Sequence, residues 1–509
     1  MNRVSQTVVL RVSMLVIASS VLASCITAGP DYQRPVLALP SDWQQAHTGD
    51  ASLLDAQVRS STARVSLQEG FALFADEQLL SLQSRALDNS PDLQSAMLRF
   101  AQSRTQLDGV SQQNQAMLRS SAGAARVAQS ASGSATRLIS AISSPEQSDS
   151  LIDFIAEPFA LYHIGFDASW ELDLWGGVQR RIESAQADVD LSVAMTEQVQ
   201  LALLSEIARH YFTLRAAQQQ LLLLDQDILR AEQLLGLLQV RTEAGLSNEL
   251  DSLQQEAMLA QARAQRPGLL AQEAQSLNAI GLLLGEGPGS LQTLLAEDRT
   301  WQLTAIPDLA LGLPSDLVNT RPDIQAAEAQ LRAASAQVGA AKARLYPSII
   351  LGAGLGLESL NSGELADWGA RQWSLGPQID LPLFDQGQRK TLVRLRELRA
   401  QEAAINFQQV VLKAWHEVDT ALTAYSAQRQ SHQQLQAQLA SQTQVLEHAR
   451  THFNNGVINY LQVLAAEQGV AQASRALSVS EAEMAIRIVA LFKTLGRSDA
   501  LNANAVAER

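Results

Sequence analysis

The sequence predicts a mostly α-helical protein that also carries membrane-type β-strands, arranged as two halves of a tandem duplication. Three observations support this fold class. Two proline-free stretches, Val178–Thr242 and Arg389–Phe453, carry apolar residues at seven-residue spacing, which is typical of long packed helices. Shorter stretches alternate apolar and polar residues, as strands do. The same landmarks recur in the same order in both halves.

The composition is that of a folded protein without affinity for nucleic acids. The chain has 509 residues, of which 46% are hydrophobic and 18% are charged, and this balance excludes wholesale disorder. The 38 Lys and Arg residues against 52 Asp and Glu residues give a net charge of −14, which disfavours contacts with phosphate backbones. We therefore expect no nucleic-acid partner.

Residues 1–24 have the features of a lipoprotein signal peptide. Arg3 and Arg11 give a basic start, and the apolar run Val12–Leu22 is too short to cross a bilayer as a helix. The four residues that end at Cys25 match the lipobox, in which small residues precede a cysteine that is acylated before cleavage. We therefore expect the mature chain to begin at Cys25.

Cys25 is the predicted lipid-attachment site. It would carry palmitate and other acyl chains that insert into a membrane leaflet. Since it is the only cysteine of the chain, we expect no internal disulfide. Ile26 follows it where the lipoprotein sorting rule would need Asp for retention at the inner membrane, which favours the outer membrane. Residues 25–75 form the predicted lipidated N-terminal segment.

Four landmarks define the duplication. They are the pairs Pro91-Asp92 and Pro322-Asp323, Trp170–Trp175 and Ile379–Phe384, Gly245–Asn248 and Gly456–Asn459, and Leu284-Gly285 and Leu495-Gly496. The offset is 231 residues for the first pair, 209 for the second and 211 for the last two, so the first half has 22 additional residues. They map to the Ser-rich stretch Gln129–Pro158, a predicted exposed loop. The predicted repeats span residues 76–310 and 311–496, and residues 497–509 form a C-terminal tail.

The secondary structure is predicted to alternate between helices and strands. Each long helix has 65 residues and would extend roughly 98 Å at 1.5 Å per residue. Shorter helices are expected at about Asp76–Leu118, Glu249–Leu284, Ser315–Leu345 and Tyr460–Leu495. Strands are expected at about Met117–Gln129, Ala160–Leu174, Tyr346–Leu357 and Gln372–Leu383, as hairpins over about 117–174 and 346–384.

The alternating strands have one apolar, aromatic face and one polar face. An ordinary half-buried sheet would show the same alternation. Tyr162, Trp170 and Trp175 are placed to lie near a membrane interface, and a lipid anchor precedes them, so lipid-facing strands with a polar lumen are favoured. A membrane sheet tolerates no open edge, and about eight strands make the smallest barrel. Four strands must therefore combine with those of other copies.

Several of these residues resemble a known family. Cys25 with its lipobox, the segment Gly29–Pro35, the two Pro-Asp helix starts and the turn Asn455–Leu461 are together similar to the TolC family of outer-membrane efflux channels. They are most similar to its lipoprotein branch, the OprM or NodT type. The resemblance covers essentially the whole mature chain.

The resemblance implies a homotrimer that works without chemistry of its own. Three chains would close a twelve-stranded barrel in the outer membrane, and their helices would form an α-helical barrel, similar to a coiled coil, that tapers shut in the periplasm. A periplasmic adaptor and an inner-membrane pump, commonly of the resistance-nodulation-division class, would deliver drugs, toxic compounds or metal ions to this duct. The resemblance implies no cofactor, and the pump would supply the energy.

The far end of the helices contains the predicted periplasmic tip and gate. Its candidate residues are Gly245, Asn248, Asp251, Gly456, Asn459, Gln462 and Glu467. Family members commonly carry carboxylates just after the second-half turn, where this chain has Gln462 and Ala465. A charged ring could instead come from Asp251, the counterpart of Gln462, or from Glu467. Asp251 could equally be a solvated residue in the first turn of a helix.

Two other functions were considered from the residues. An enzyme could use His448 and His452, which are spaced to converge on one metal ion, but two ligands do not make a site and Glu447 does not complete an HExxH motif. We therefore expect neither an enzyme nor a metal site. The remaining alternative is a structural coiled-coil lipoprotein that tethers the outer membrane to another layer, which accounts for Cys25 and the long helices but not for the strands.

Overall fold

The computed structural model describes residues 27–35, 59–60, 67–133, 137, 145–246, 248–296, 310–311 and 317–496. The predicted signal peptide, Cys25 and the tail 497–509 lie outside the described residues. The chain divides into two compact units. The first comprises the described parts of Met1–Gln33, Arg104–Ala187 and Arg332–Glu402, and the second those of Arg34–Ser103, Asp188–Leu331 and Ala403–Arg509. Each unit therefore draws on both halves of the duplication.

Helices make up most of the described chain. In chain order the elements are β1 (Arg59–Ser60), α1 (Leu67–Ala72), α2 (Glu77–Asn89), α3 (Pro91–Ser111), β2 (Met117–Val127), α4 (Pro145–Ala156), β3 (Phe159–Leu172), α5 (Gly177–Glu243), α6 (Glu249–Leu283), α7 (Gln292–Ala296), β4 (Ala310–Leu311), α8 (Leu317–Thr320), α9 (Pro322–Ala343), β5 (Ser348–Ser359), β6 (Arg371–Asp380), α10 (Gln388–Asn454) and α11 (Tyr460–Leu495). Among these helices, none combines the length and the apolar character that crossing a membrane requires.

The two long helices agree closely with the sequence prediction. Helices α5 and α10 have 67 residues each, one more at either end than the proline-free stretches. The prediction of one continuous helix over Asp76–Leu118 was wrong, because the structure has two helices, α2 and α3, in this stretch. The predicted helix breaks at Ser90, because the residue before a proline is forced out of the helical region, and Ser90 has a ψ of 123°. Its last predicted residues, Met117 and Leu118, belong to β2.

Strands β2, β3, β5 and β6 form one antiparallel sheet in the first unit, in that order. The register brings Phe166, Leu355 and Trp373 side by side on one face, and all three side chains are more than half exposed. On the opposite face, a Cβ atom built on the backbone of Gly354 would lie 2.9 Å from Ser374 Oγ, so these two residues point to the same side. The predicted separation into an apolar and a polar face therefore holds across neighbouring strands.

Strand β2 ends at Val127, two residues earlier than predicted, and β3 and β6 also end early, each for a local reason. β3 stops at Leu172, because the Asp173 carboxylate accepts a hydrogen bond of 2.8 Å from the Gln179 backbone N–H and caps α5. β6 stops at Asp380, shortly before Pro382, which has no N–H to donate to a ladder. The predicted exposed loop also differs, since it contains the twelve-residue helix α4.

The hydrophobic core lies in the second unit. Its fully buried members come mainly from α1, α2, α3, α5, α6, α7, α10 and α11, and include Phe71, Leu79, Leu82, Ile207, Phe212, Leu214, Ile280, Val418, Ile488 and Leu491. A parallel bridge between β1 and β4 joins Arg59 with Ala310 and Ser60 with Leu311 in the pairing register. No pattern in the sequence indicated this bridge.

The duplicated landmarks contact each other within the second unit. A Cβ built on Gly285 would lie 3.0 Å from Pro91 Cδ, and one built on Gly496 would lie 2.4 Å from Arg321 Cγ. Arg321 also donates a hydrogen bond of 2.7 Å to the Thr494 carbonyl oxygen and pairs with Glu417 at 2.7 Å. In each half, the glycine that follows the helix after the reversal, α6 or α11, therefore packs on the start of the Pro-Asp helix.

We predict that Gly496→Ala destabilises the protein more than Gly456→Ala. Both glycines have left-handed backbone angles, with φ of 65° and 71°, so the conformational strain is shared. Only the new methyl group at Gly496 meets a neighbour, since the space around Gly456 is open. We expect an additional loss of about 1 to 3 kcal/mol from overpacking. Equal urea midpoints for the two purified variants would contradict the packing of Gly496 on Arg321.

Candidate gate at the helix reversals

The two predicted tip glycines have the same backbone geometry. After α5, the N–H of Gly245 donates to Thr242 O at 3.0 Å and that of Leu246 donates to Arg241 O at 2.8 Å. After α10, Gly456 and Val457 repeat this pattern at 2.9 Å each. With φ of 69° and 71°, both glycines form the C′ position of a Schellman motif. The motif reverses the chain within a few residues.

The next helix of each pair begins at an asparagine cap. Asn248 accepts a hydrogen bond of 3.3 Å from the Leu250 N–H, and Asn459 accepts one of 3.3 Å from the Gln462 N–H. Each cap satisfies a backbone donor that has no partner inside its helix. Asp251 and Gln462 occupy equivalent positions in the first turns of α6 and α11.

One cavity of about 650 Å³ brings several of the predicted gate residues together. Gly245, Asn248, Asp251 and Asn459 line it, with Arg241 as the basic residue. The structure does not place Gly456 or Gln462 in this lining, although both belong to the adjoining turn. The two reversals of one chain therefore share a cavity that carries the Asp251 carboxylate on one side.

Glu467 lies in a different environment. Its carboxylate pairs with Arg450 of α10 at 2.8 Å, and the side chain is 28% exposed. It lines a second cavity of about 660 Å³ between α5, α6 and α11. The partner arginine balances its charge, which weakens Glu467 as a source of a negative ring.

The second cavity also contains residues that sequence reasoning missed. Asp227 pairs with Arg475 at 2.6 Å and with Arg230 at 2.5 Å, and its side chain is 15% exposed. The spacing of Asp227 and Arg230 is visible in the sequence as a pair on one helix. Arg475 lies 248 residues away, and no local pattern links it to Asp227.

The structure gives no support for a metal site at the two histidines considered as ligands. His448 and His452 are exposed on α10, and no group of three or more possible metal ligands occurs among the residues that the structure describes. Among the residues that the structure describes, His432 is a buried histidine, and burial lowers its pKa. Its ring hydrogen-bonds with Ser480 at 3.3 Å and with Gln436 at 3.0 Å, which ties α10 to α11.

Comparisons with known proteins agree with this fold. The family described as outer membrane efflux protein matches residues 82–286 and 313–497. The outer membrane protein OprJ of Pseudomonas aeruginosa is 29% identical over 491 residues, which cover 95% of each chain. The probable outer membrane lipoprotein SilC of Salmonella typhimurium is 25% identical over 477 residues, covering 94% of this chain and 96% of SilC. The structure of the outer-membrane channel OprN aligns with a TM-score of 0.78 and 28% identity, covering 93% of this chain and 99% of OprN.

The long helices, the four-stranded antiparallel sheet and the two capped helix reversals place the chain in the class of outer-membrane channels, as its likeness to OprN indicates. The family match spans well over half of the sequence, and the chain belongs to the outer membrane efflux protein family. The predicted family, fold class, efflux function and outer-membrane location are thereby confirmed. This membership favours the channel over the tethering lipoprotein.

Proposed function

We propose that three copies of this chain close their sheets into one outer-membrane barrel, and that their helices form a duct through which small molecules leave the cell. A periplasmic adaptor and an inner-membrane pump of the resistance-nodulation-division class deliver these molecules. The duct catalyses no reaction and uses no cofactor. The similarity to the outer-membrane channel OprN, the outer membrane protein OprJ and the probable outer membrane lipoprotein SilC supports this assignment.

The observation that carries the proposal is the four-stranded sheet. Its apolar face exposes side chains such as Phe166, Leu355 and Trp373, which lipid would cover. Strands β2 and β6 are its outer strands, so each has one edge without a partner strand in the described sheet. Unpaired backbone groups are costly in hydrocarbon, and pairing β6 of one copy with β2 of the next satisfies them.

The helix reversals are the proposed periplasmic tip and gate. Gly245 and Gly456 allow each chain to turn back, and Asn248 and Asn459 fix the direction in which the next helix starts. We assign the negative charge of the gate to Asp251, because it lines the cavity shared by the two turns. Gln462 is the neutral counterpart, and Glu467 is paired with Arg450. The salt bridge of Asp227 with Arg475 holds α5 against α11.

Cys25 is the proposed lipid-attachment site, within the lipidated segment 25–75. Its lipobox supports this assignment, as does the likeness over most of the chain to SilC, which is named a probable outer membrane lipoprotein. The two sequence repeats, residues 76–310 and 311–496, are proposed to supply one strand hairpin and one helix reversal each.

We predict that the native mass of the purified protein in detergent corresponds to three copies of the chain. The physical reason is the edge pairing described above, which four strands cannot complete within one chain. Native mass spectrometry and chemical cross-linking measure the copy number, and circular dichroism measures the strand content. A stable monomer with unchanged strand content would refute the assembly.

We predict that the double variant Gly245→Val, Gly456→Val assembles normally but loses export. Apart from the adjoining residues, no heavy atom lies within 4 Å of a Cβ built at either position, so we expect the substitutions to act mainly through the left-handed backbone angles. A β-branched residue in that region costs about 1 to 2 kcal/mol. Gly236→Val, at an open position inside α5, is the control for adding the side chain. Wild-type tolerance of exported compounds by the double variant, at equal trimer levels, would show that the reversals do not act as the tip.

We predict that the mature chain begins at an acylated Cys25. Mass spectrometry of the N-terminal peptide should show fatty acid on that residue, and Cys25→Ala should remain unprocessed because the peptidase requires the acylated thiol. Recovery of an unmodified thiol, with cleavage at another residue, would be incompatible with this assignment.

A further inference from the structure

Residues Thr27–Asp31 pack into a groove of the first unit. We name this segment the anchor strap. The Ala28 N–H donates to the Trp175 carbonyl oxygen at 2.9 Å, and Ala28 is buried. Trp175 lies three residues after the end of β3, so this bond holds the strap at the foot of the sheet.

Arg180, in the first turn of α5, contacts both the backbone carbonyl groups of the strap and the carboxylate of Asp31. The guanidinium donates to Ala28 O at 3.3 Å and to Gly29 O at 3.5 Å, and it pairs with Asp31 at 2.6 Å. Its side chain is only 5% exposed. A second carboxylate, that of Glu183, lies at 2.7 Å from the same guanidinium. Removing the strap would leave this buried cation with fewer acceptors.

Glycines allow the strap to approach the helices closely. A Cβ on Gly29, which has a φ of 90°, would lie 2.5 Å from Gly339 Cα. A Cβ on Gly339 would lie 2.7 Å from Ala28 O and 2.9 Å from Arg180 Cδ. Gly176 meets Thr27 in the same way, at 2.6 Å. The groove therefore fits one backbone path and has no room for a side chain at these points.

We propose that the groove formed by Gly176, Arg180 and Gly339 is a docking site for the mature N-terminus, which holds the lipid anchor at the foot of the sheet. The inference rests on the proposed acylation of Cys25. Cys25 lies two positions before Thr27, with only Ile26 between them, so the acyl chains would start within about 7 Å of the docked strap. Docking therefore fixes the lipid anchor close to the end of β3. The acyl chains and this strand would then enter the membrane at the same depth.

The test replaces Gly339, whose backbone conformation inside α9 any residue can adopt. Gly339→Ala in α9 places a methyl group against Ala28 O and Arg180, while alanine is favoured over glycine inside a helix. Gly109→Ala in α3 is the matched control, because the space around that glycine is open. Weakening of the helix therefore cannot explain a loss of docking in the first variant.

Docking is measured by cleavage of the full-length protein in detergent. Chymotrypsin cuts after Tyr32 and releases the peptide Cys25–Tyr32, which mass spectrometry detects. We expect Gly339→Ala to release this peptide at least about tenfold faster than wild type, a change on the order of that caused by 1.4 kcal/mol. Gly109→Ala should match wild type. The yield of trimer that resists detergent should fall only for Gly339→Ala.

The mass and the release rate of the peptide answer separate questions. A peptide without fatty acid would refute the proposed acylation, whatever its rate of release. An acylated peptide released equally fast from wild type and Gly339→Ala would refute the docking site. Arg180→Gln provides a second variant with the same expected increase, and Arg181→Gln, at a partly exposed neighbour, is its control. Unchanged release from Arg180→Gln would also overturn the proposal.

Discussion

The free backbone edges of β2 and β6 are the constraint on which the rest of the architecture depends. Within lipid, an unpaired N–H or carbonyl group has no water to bond with, so a sheet of this size persists only as part of a closed structure. Closure by several copies sets their helices side by side as well. The Ala, Gln and Ser content of α6, α9 and α11 suits that arrangement, because small side chains permit close helix packing while polar ones accept water.

The helical part of this fold was largely predictable from the sequence. Helices α5 and α10 were predicted to within one residue at each end, because a long proline-free stripe of apolar residues has few alternative structures. Helix α11 begins and ends where the turn at Asn459 and the glycine at 496 indicated. The break at Ser90 was missed because Pro91 was interpreted as a helix start without its effect on the residue before it.

At the candidate gate, only the backbone geometry of the two helix reversals was predictable from the sequence. The glycine and asparagine of each reversal follow from cap chemistry, which acts over a few residues. Which side chains meet across helices does not, because that depends on the packing of segments far apart in sequence. Arg475 with Asp227 and Arg450 with Glu467 are such pairs, and the second changes how Glu467 can act. Likewise, nothing in Gly29 or Gly339 alone indicates that their backbones touch.

The duplication makes the two reversals of one chain alike in backbone but unlike in charge. Asp251 and Gln462 stand at the same position after their caps, one an acid and the other an amide. In a trimer, six reversals would surround the opening, and acid and amide would alternate around it. A docking partner would then meet a surface that repeats every 120° rather than every 60°. Backbone shape alone would allow six equivalent registers, and the charge pattern reduces them to three.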